Sequence, residues 1–184
     1  MCAAIAAKVL DHVNNQQHML TGLIRDLVEA ESPSSHPETH DDVRRILRLA
    51  LASVGYHSRE AGAPDQPRHV FARPAERVRG RPTQLVVGHF DTVWPVGTLD
   101  ERPFRIDGNV IHGPGSFDMK GGIAQLIVAL HAIRDLRLET PVVPVIFINA
   151  DEEIGSRSST RYIRLLANHA ERALVLEPAL GERG

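Results

Sequence analysis

His89 and Asp91 follow the apolar run Thr83-Gln84-Leu85-Val86-Val87-Gly88. Asp151, Glu152 and Glu153 follow Val142 to Asn149, and Glu177 follows Ala173 to Leu176. Asp118 lies in the glycine-rich stretch Gly113-Pro114-Gly115-Ser116-Phe117-Asp118, just ahead of a helical pattern. Each apolar run reads as a buried strand, and ligands in open α/β sheets gather at the carboxyl ends of strands. Histidine with several carboxylates is a donor set that zinc uses in hydrolytic sites. Carboxylate-rich sets can hold two ions about 3.5–4 Å apart, with one carboxylate bridging them. Asp91, two residues past His89, is within reach of the imidazole N–H and fixes its tautomer. Three successive acids after a strand repel one another unless cations offset them. One glutamate can then ligate a metal while its neighbour acts as general base toward a water.

The elements that must position these groups are legible from periodicity. Residues from about Ala3 to Glu31 read as one helix, with Leu20, Leu23, Ile24, Leu27 and Val28 as its apolar stripe, stopped at Pro33. A second helix starts near Glu38 and ends at Gly55. Tyr56–Glu60 and His69–Arg73 read as short strands, and Asp107-Gly108-Asn109 as the turn of a hairpin. Helices follow through Ile123 to Ile133 and from Ser156 to Ala170. This alternation predicts an α/β fold: three layers, helix-sheet-helix, around a mostly parallel mixed sheet.

Other features read as structural. Gly113-Pro114-Gly115 and Gly121-Gly122 lack the spacing and the Lys-Ser/Thr ending of a nucleotide phosphate loop. Gly121 and Gly122 are expected to let a helix approach the sheet, and Lys120 to be structural. His112 is expected at a hairpin edge. His12, His18, His36, His40, His57, His69, His131 and His169 are expected to be ordinary surface residues. Ser34, Ser35 and Ser156 fall near turns and caps.

Length and composition set outer bounds. The 184 residues suit one domain, and a formal net charge of −2 gives no reason to expect nucleic acid or an anionic membrane. A single cysteine, Cys2, excludes an internal disulfide and thiolate-rich zinc sites. The opening residues lack a signal-peptide pattern, and no run approaches the ~20 apolar residues that span a bilayer. A cytoplasmic location is the expectation.

Taken in order, His89-Phe90-Asp91-Thr92-Val93, Gly113 to Gly122, Asp151-Glu152-Glu153-Ile154-Gly155-Ser156 and Glu177-Pro178 resemble a superfamily of di-zinc hydrolases. Its members include glutamate carboxypeptidase, acetylornithine deacetylase, succinyl-diaminopimelate desuccinylase and aminoacylase. The resemblance runs from about Leu20 to the end of the chain. It implies His89 and Glu177 on one zinc, Glu153 on the second and Asp118 bridging both. It also implies Glu152 as general base, Asp91 orienting His89, and a cis peptide after Asp118. Cobalt or manganese can occupy similar sites. Glu177 and the Trp94-Pro95-Val96-Gly97-Thr98-Leu99 continuation resemble the glutamate carboxypeptidase branch. Members of that branch remove a C-terminal residue, often glutamate, from peptides or from acyl and folyl conjugates.

Family members run to roughly twice this length. The resemblance therefore implies that residues 1–184 are the N-terminal portion of a catalytic domain. A dimerisation domain and a returning catalytic segment with the last histidine ligand would be absent, and the complete protein would be a homodimer. The alternative expectation is a catalytically incomplete fragment with partial or no metal binding. Such a piece is expected to expose a sheet edge and to be marginal in stability.

Overall fold

A computed structural model describes residues 2–76, 79–179 and 181. In chain order the elements are α1 (Cys2–Asn14), α2 (Gln17–Glu29), α3 (Asp41–Ser53), β1 (Tyr56–Ala61), β2 (His69–Pro74), β3 (Thr83–His89), α4 (Thr98–Glu101), β4 (Arg105–Asp107), β5 (Val110–His112), α5 (Gly121–Asp135), β6 (Val143–Asn149), α6 (Thr160–Ala167) and β7 (Ala170–Val175). The expected tail after Pro178 falls mostly outside the described residues.

The sheet order is β1-β2-β6-β3-β7. β1, β2 and β6 pair antiparallel, whereas β6, β3 and β7 pair parallel. One face packs Val70, Val86, Ile146 and Ile148 against Leu47 and Leu51 of α3 and Ile123 and Ile127 of α5. On the other face Phe147 meets Tyr162 of α6, with ring centroids 5.9 Å apart. Alternate residues of β6 thus serve opposite layers, as the pleat requires. This is the expected helix-sheet-helix architecture, with its antiparallel part at the β1–β2 side. β4 and β5 form the separate hairpin read from Asp107-Gly108-Asn109.

Three local expectations need correction. The first long helix is two: a turn at Asn15-Gln16 separates α1 from α2. Asparagine is a poor helix-interior residue, and its loss to a turn is cheap. The helix expected from Ser156 begins at Thr160, because residues 151–159 wrap around the Asp151 carboxylate, with Gly155 and Ser156 at φ 88° and 53°. β7 was expected to be buried; it is the edge strand and largely exposed. Its apolar composition marks it as a sheet strand without saying what lies over it.

Close backbone approach fixes the start of α5. A Cβ on Gly122 would come 2.4 Å from the Leu176 carbonyl oxygen, just ahead of Glu177. The sequence expectation for this glycine therefore holds. Lys120 is buried, and its Nζ donates to the carbonyl oxygens of Leu27 and Ala30 at 2.7 and 3.0 Å. It satisfies carbonyls at the C-terminal end of α2, where helices leave them unpaired and favour a cation.

Two outcomes follow for urea unfolding. Gly122→Ala gains about 1 kcal/mol of helix propensity. It meets a main-chain oxygen that no rotamer change can move, so a net loss of about 1–3 kcal/mol is expected. Lys120→Met orphans two carbonyls and is expected to lose about 1–3 kcal/mol. Unchanged unfolding midpoints would contradict both assignments.

Candidate metal centre

Strand register brings the distant segments level. His89 pairs with Asn149 across β3 and β6, so Asp91 and the Asp151–Glu153 run leave the sheet at the same edge. Val87 pairs with Val175 across β3 and β7, so His89 and Glu177, each two residues further on, are level as well. Asp118 reaches the same edge from the turn Ser116–Lys120 that leads into α5. Gly115 makes that turn with φ 69°, and a Cβ there would lie 2.6 Å from the Thr92 side chain. The Asp118–Met119 peptide is cis, as the resemblance implies.

The imidazole of His89 is at the centre and 1% exposed. Its Nδ1 lies 2.9 Å from the Asp91 main-chain oxygen. A carbonyl can only accept, so Nδ1 carries a proton, and Nε2 is the ring nitrogen left to face the carboxylates as the candidate ligand atom. That Nε2 is 3.1 Å from Asp118 Oδ1, 3.6 Å from Glu177 Oε1 and 3.9 Å from Glu152 Oε2. Two sets of donor atoms lie mutually within 4.8 Å: His89 with Glu152 and Glu177, and His89 with Asp118 and Glu153. The structure thus brings together His89, Asp118, Glu152, Glu153 and Glu177.

Asp91 does more than its sequence position indicated. Its carboxylate is 3.4 Å from His89 Nδ1, beyond the closer contact made by its own carbonyl. The shorter bonds go elsewhere: Ser34 Oγ donates to Oδ2 at 2.6 Å, and the Glu152 and Glu153 amides donate at 3.1 and 3.2 Å. Asp91 therefore ties the end of β3 to the segment carrying both glutamates. Ser32 and Ser34 cover it from the other side, exchanging main-chain bonds with Thr92, while Ser32 Oγ donates to the Phe90 oxygen at 2.7 Å.

The electrostatics are those of an acid surplus. Burial alone would push the His89 pKa down, but Asp91 and Glu177 outweigh it and raise the group to about 9. Glu153 is pushed up by burial and by the nearby Asp118, Asp91 and Glu152 charges. Glu177 is pushed up by burial, then by Asp118 and Glu152. Carboxylates that resist ionisation because of one another are what a divalent cation relieves. The oxygen-rich donor set with one imidazole fits such an ion, and the half-exposed Asp118, Glu152 and Glu177 leave it open to solvent.

Two histidines expected at the surface are fully buried. His40 sits 2.9 Å from the Pro33 oxygen through Nε2 and packs edge-on against Phe90. His69 lies in β2 beneath the Asp151 turn, its Nδ1 3.2 Å from the Ala150 amide. Burial lowers the pKa of both. Neither has a sequence signal, because a histidine beside apolar residues reads the same whether or not another element packs over it. Ser34 was read as a turn residue for the same reason.

A family model, described as peptidase family M20/M25/M40, matches residues 85–184. Carboxypeptidase G2 of Pseudomonas sp. (strain RS-16) is 35% identical over 169 residues, covering 89% of this chain and 40% of that protein. Succinyl-diaminopimelate desuccinylase of Rhizorhabdus wittichii is 37% identical over 114 residues, covering 59% of this chain and 28% of that protein. Human carnosine dipeptidase 1 has the same fold over 92% of this chain and 40% of its own, with a TM-score of 0.78 at 19% identity. The chain thus spans well under half the length of these relatives. No helix among the described residues is long and apolar enough to cross a membrane. With its ligand-capable residues gathered at one sheet edge inside the matched region, the chain belongs to the peptidase family M20/M25/M40.

Proposed function

We propose that this chain carries most of the active centre of a metal-dependent hydrolase of amide or peptide bonds. The observation that carries the proposal is the convergence of Asp118, Glu152 and Glu177 within 3.1–3.9 Å of Nε2 of His89. The names of the relatives favour the same bond type, since a carboxypeptidase and a desuccinylase both cleave amides. Removal of a C-terminal residue such as glutamate, from peptides or from N-acyl or folyl conjugates, is the specificity we favour. Likeness to a carboxypeptidase supports removal of a C-terminal residue, and the preference for glutamate rests on the resemblance carried by Glu177 and the Trp94–Leu99 stretch.

On this reading His89 and Glu177 would hold one divalent ion and Glu153 a second, with Asp118 as a further ligand. Zinc is favoured by the donor set, and cobalt or manganese suit it too. Such ions would supply Lewis acidity toward the scissile carbonyl and would lower the pKa of an attacking water. Glu152 would serve as general base, taking a proton from the attacking water on a carboxylate oxygen and delivering it to the leaving amine nitrogen. Asp91 keeps Nδ1 of His89 protonated through its carbonyl and holds the two glutamates by their amides.

We further propose that residues 1–184 are the N-terminal portion of the catalytic domain. A dimerisation domain and a remaining ligand would be supplied by further sequence in a homodimeric protein. The coverage of 40% of carboxypeptidase G2 and the exposed edge at β7 favour this division. They also favour the second reading, that the chain alone binds metal without turnover.

Zinc titration with a chromophoric competitor, paired with glutamate release from an N-acyl-glutamate, tests both readings. Saturable zinc binding is expected in the wild type, lost in Asp118→Asn and retained in Glu152→Gln. Where turnover is present, Glu152→Gln is expected to lower it by at least about 100-fold. Zinc without glutamate release supports the incomplete-site reading. Binding that survives loss of both His89 and Asp118 would overturn the metal centre itself.

A further inference from the structure

The Glu152–Glu153 segment is held by a second network, lying on the far side from Asp91. His69, fully buried in β2, accepts from the Ala150 amide through Nδ1 at 3.2 Å. Its proton therefore resides on Nε2, which is 3.1 Å from Ser158 Oγ and donates to it. The Ser158 hydroxyl donates in turn to Asp151 Oδ2 at 2.8 Å. The same oxygen accepts from the Ser158 and Ser159 amides at 2.7 and 3.3 Å. The Ser156 amide closes the turn onto the Asp151 carbonyl at 2.7 Å. Phe147 and Tyr162 pack on the His69 ring, with centroids 5.5 and 5.9 Å away.

Serine, histidine and aspartate together invite comparison with a nucleophilic triad, but the order is wrong. The serine stands between imidazole and carboxylate, and its hydrogen bond runs to the acid. The histidine donates to the hydroxyl and cannot take its proton. The arrangement is a tether.

We propose that His69 and Ser158 are positioning residues for Glu152 and Glu153. The tether fixes both ends of the 150–159 turn, at Ala150 and at Ser158. Asp91 fixes its middle through the amides of Glu152 and Glu153. Adjacent carboxylates repel, so a turn carrying them relaxes outward when either hold is released. The position of these acids relative to His89 thus depends on β2, an antiparallel strand that contributes no ligand of its own. The inference rests on the reading of Glu152 and Glu153 as base and ligand.

Ser158→Ala cuts the tether at a half-buried site, where truncation leaves the core intact. Ser158→Thr keeps the hydroxyl. His69→Asn keeps an acceptor for Ala150 and lacks the donor to Ser158. Hydrogen exchange of the backbone amides, measured without metal, is expected to rise about tenfold or more at Glu152 and Glu153 in Ser158→Ala and His69→Asn. Amides of β3 and β6 should stay protected, and Ser158→Thr should resemble the wild type. Zinc affinity is expected to fall about 10–100-fold in Ser158→Ala and to recover in Ser158→Thr. Unchanged exchange at Glu152 and Glu153, or a rise spread evenly over the sheet, overturns the positioning role. A wild type that takes up no zinc defeats the metal reading instead, and the exchange measurement still decides the tether.

Discussion

Asp91 is a fully buried carboxylate, and a buried charge is costly unless hydrogen bonds and opposite charge compensate it. Burial pushes its pKa up, but His89, Ser34 and the Glu152 amide together hold it below the ordinary carboxylate value. Satisfying this one group requires three distant stretches to arrive together: the Ser32–Ser34 segment after α2, the end of β3 and the start of the turn after β6. Once they do, His89 has its tautomer and the two glutamates have their place. The rest of the architecture can be understood as what makes that meeting possible.

Parallel pairing of β6, β3 and β7 is the main part of it. Parallel neighbours end on the same side of the sheet, so residues that follow them share one edge whatever their distance in sequence. Register then sets the level, with His89 opposite Asn149 and two residues beyond the Val87–Val175 pair. The fourth contributor, Asp118, comes from a connection. Its turn is fitted between Thr92 and the start of α5 by glycines where a side chain would collide. Lys120, two residues on, anchors the same turn to the end of α2.

The centre is open and acid-rich, and those properties belong together. His89 is sealed, whereas Asp118, Glu152 and Glu177 are about half-exposed. A sealed imidazole keeps a fixed orientation, and exposed carboxylates keep access for an ion and a substrate. Opposing pKa shifts within a few ångströms are typical of sites built for function rather than for stability. The surrounding hydrogen bonds hold the main chain of the acidic turn, leaving the Glu152 and Glu153 side chains available.

Strand ends, donor types and order along the chain were all legible in the sequence. Apolar runs long enough for one strand each closed on His89, Asn149 and Leu176, and local composition needs no knowledge of the fold. Hairpin chemistry at Asp107-Gly108-Asn109 and the tight packing of Gly122 were legible for the same reason. What required the tertiary structure was direction and coverage. Whether the Asp91 carboxylate turns to an imidazole or to two amides depends on where a segment 61 residues later passes, since its partner amide is Glu152. Whether His40 and His69 are buried depends on which elements pack over them, and a single chain of letters carries no such information. Short-range spacing determines which groups can reach a common edge; long-range packing decides which way each of them faces.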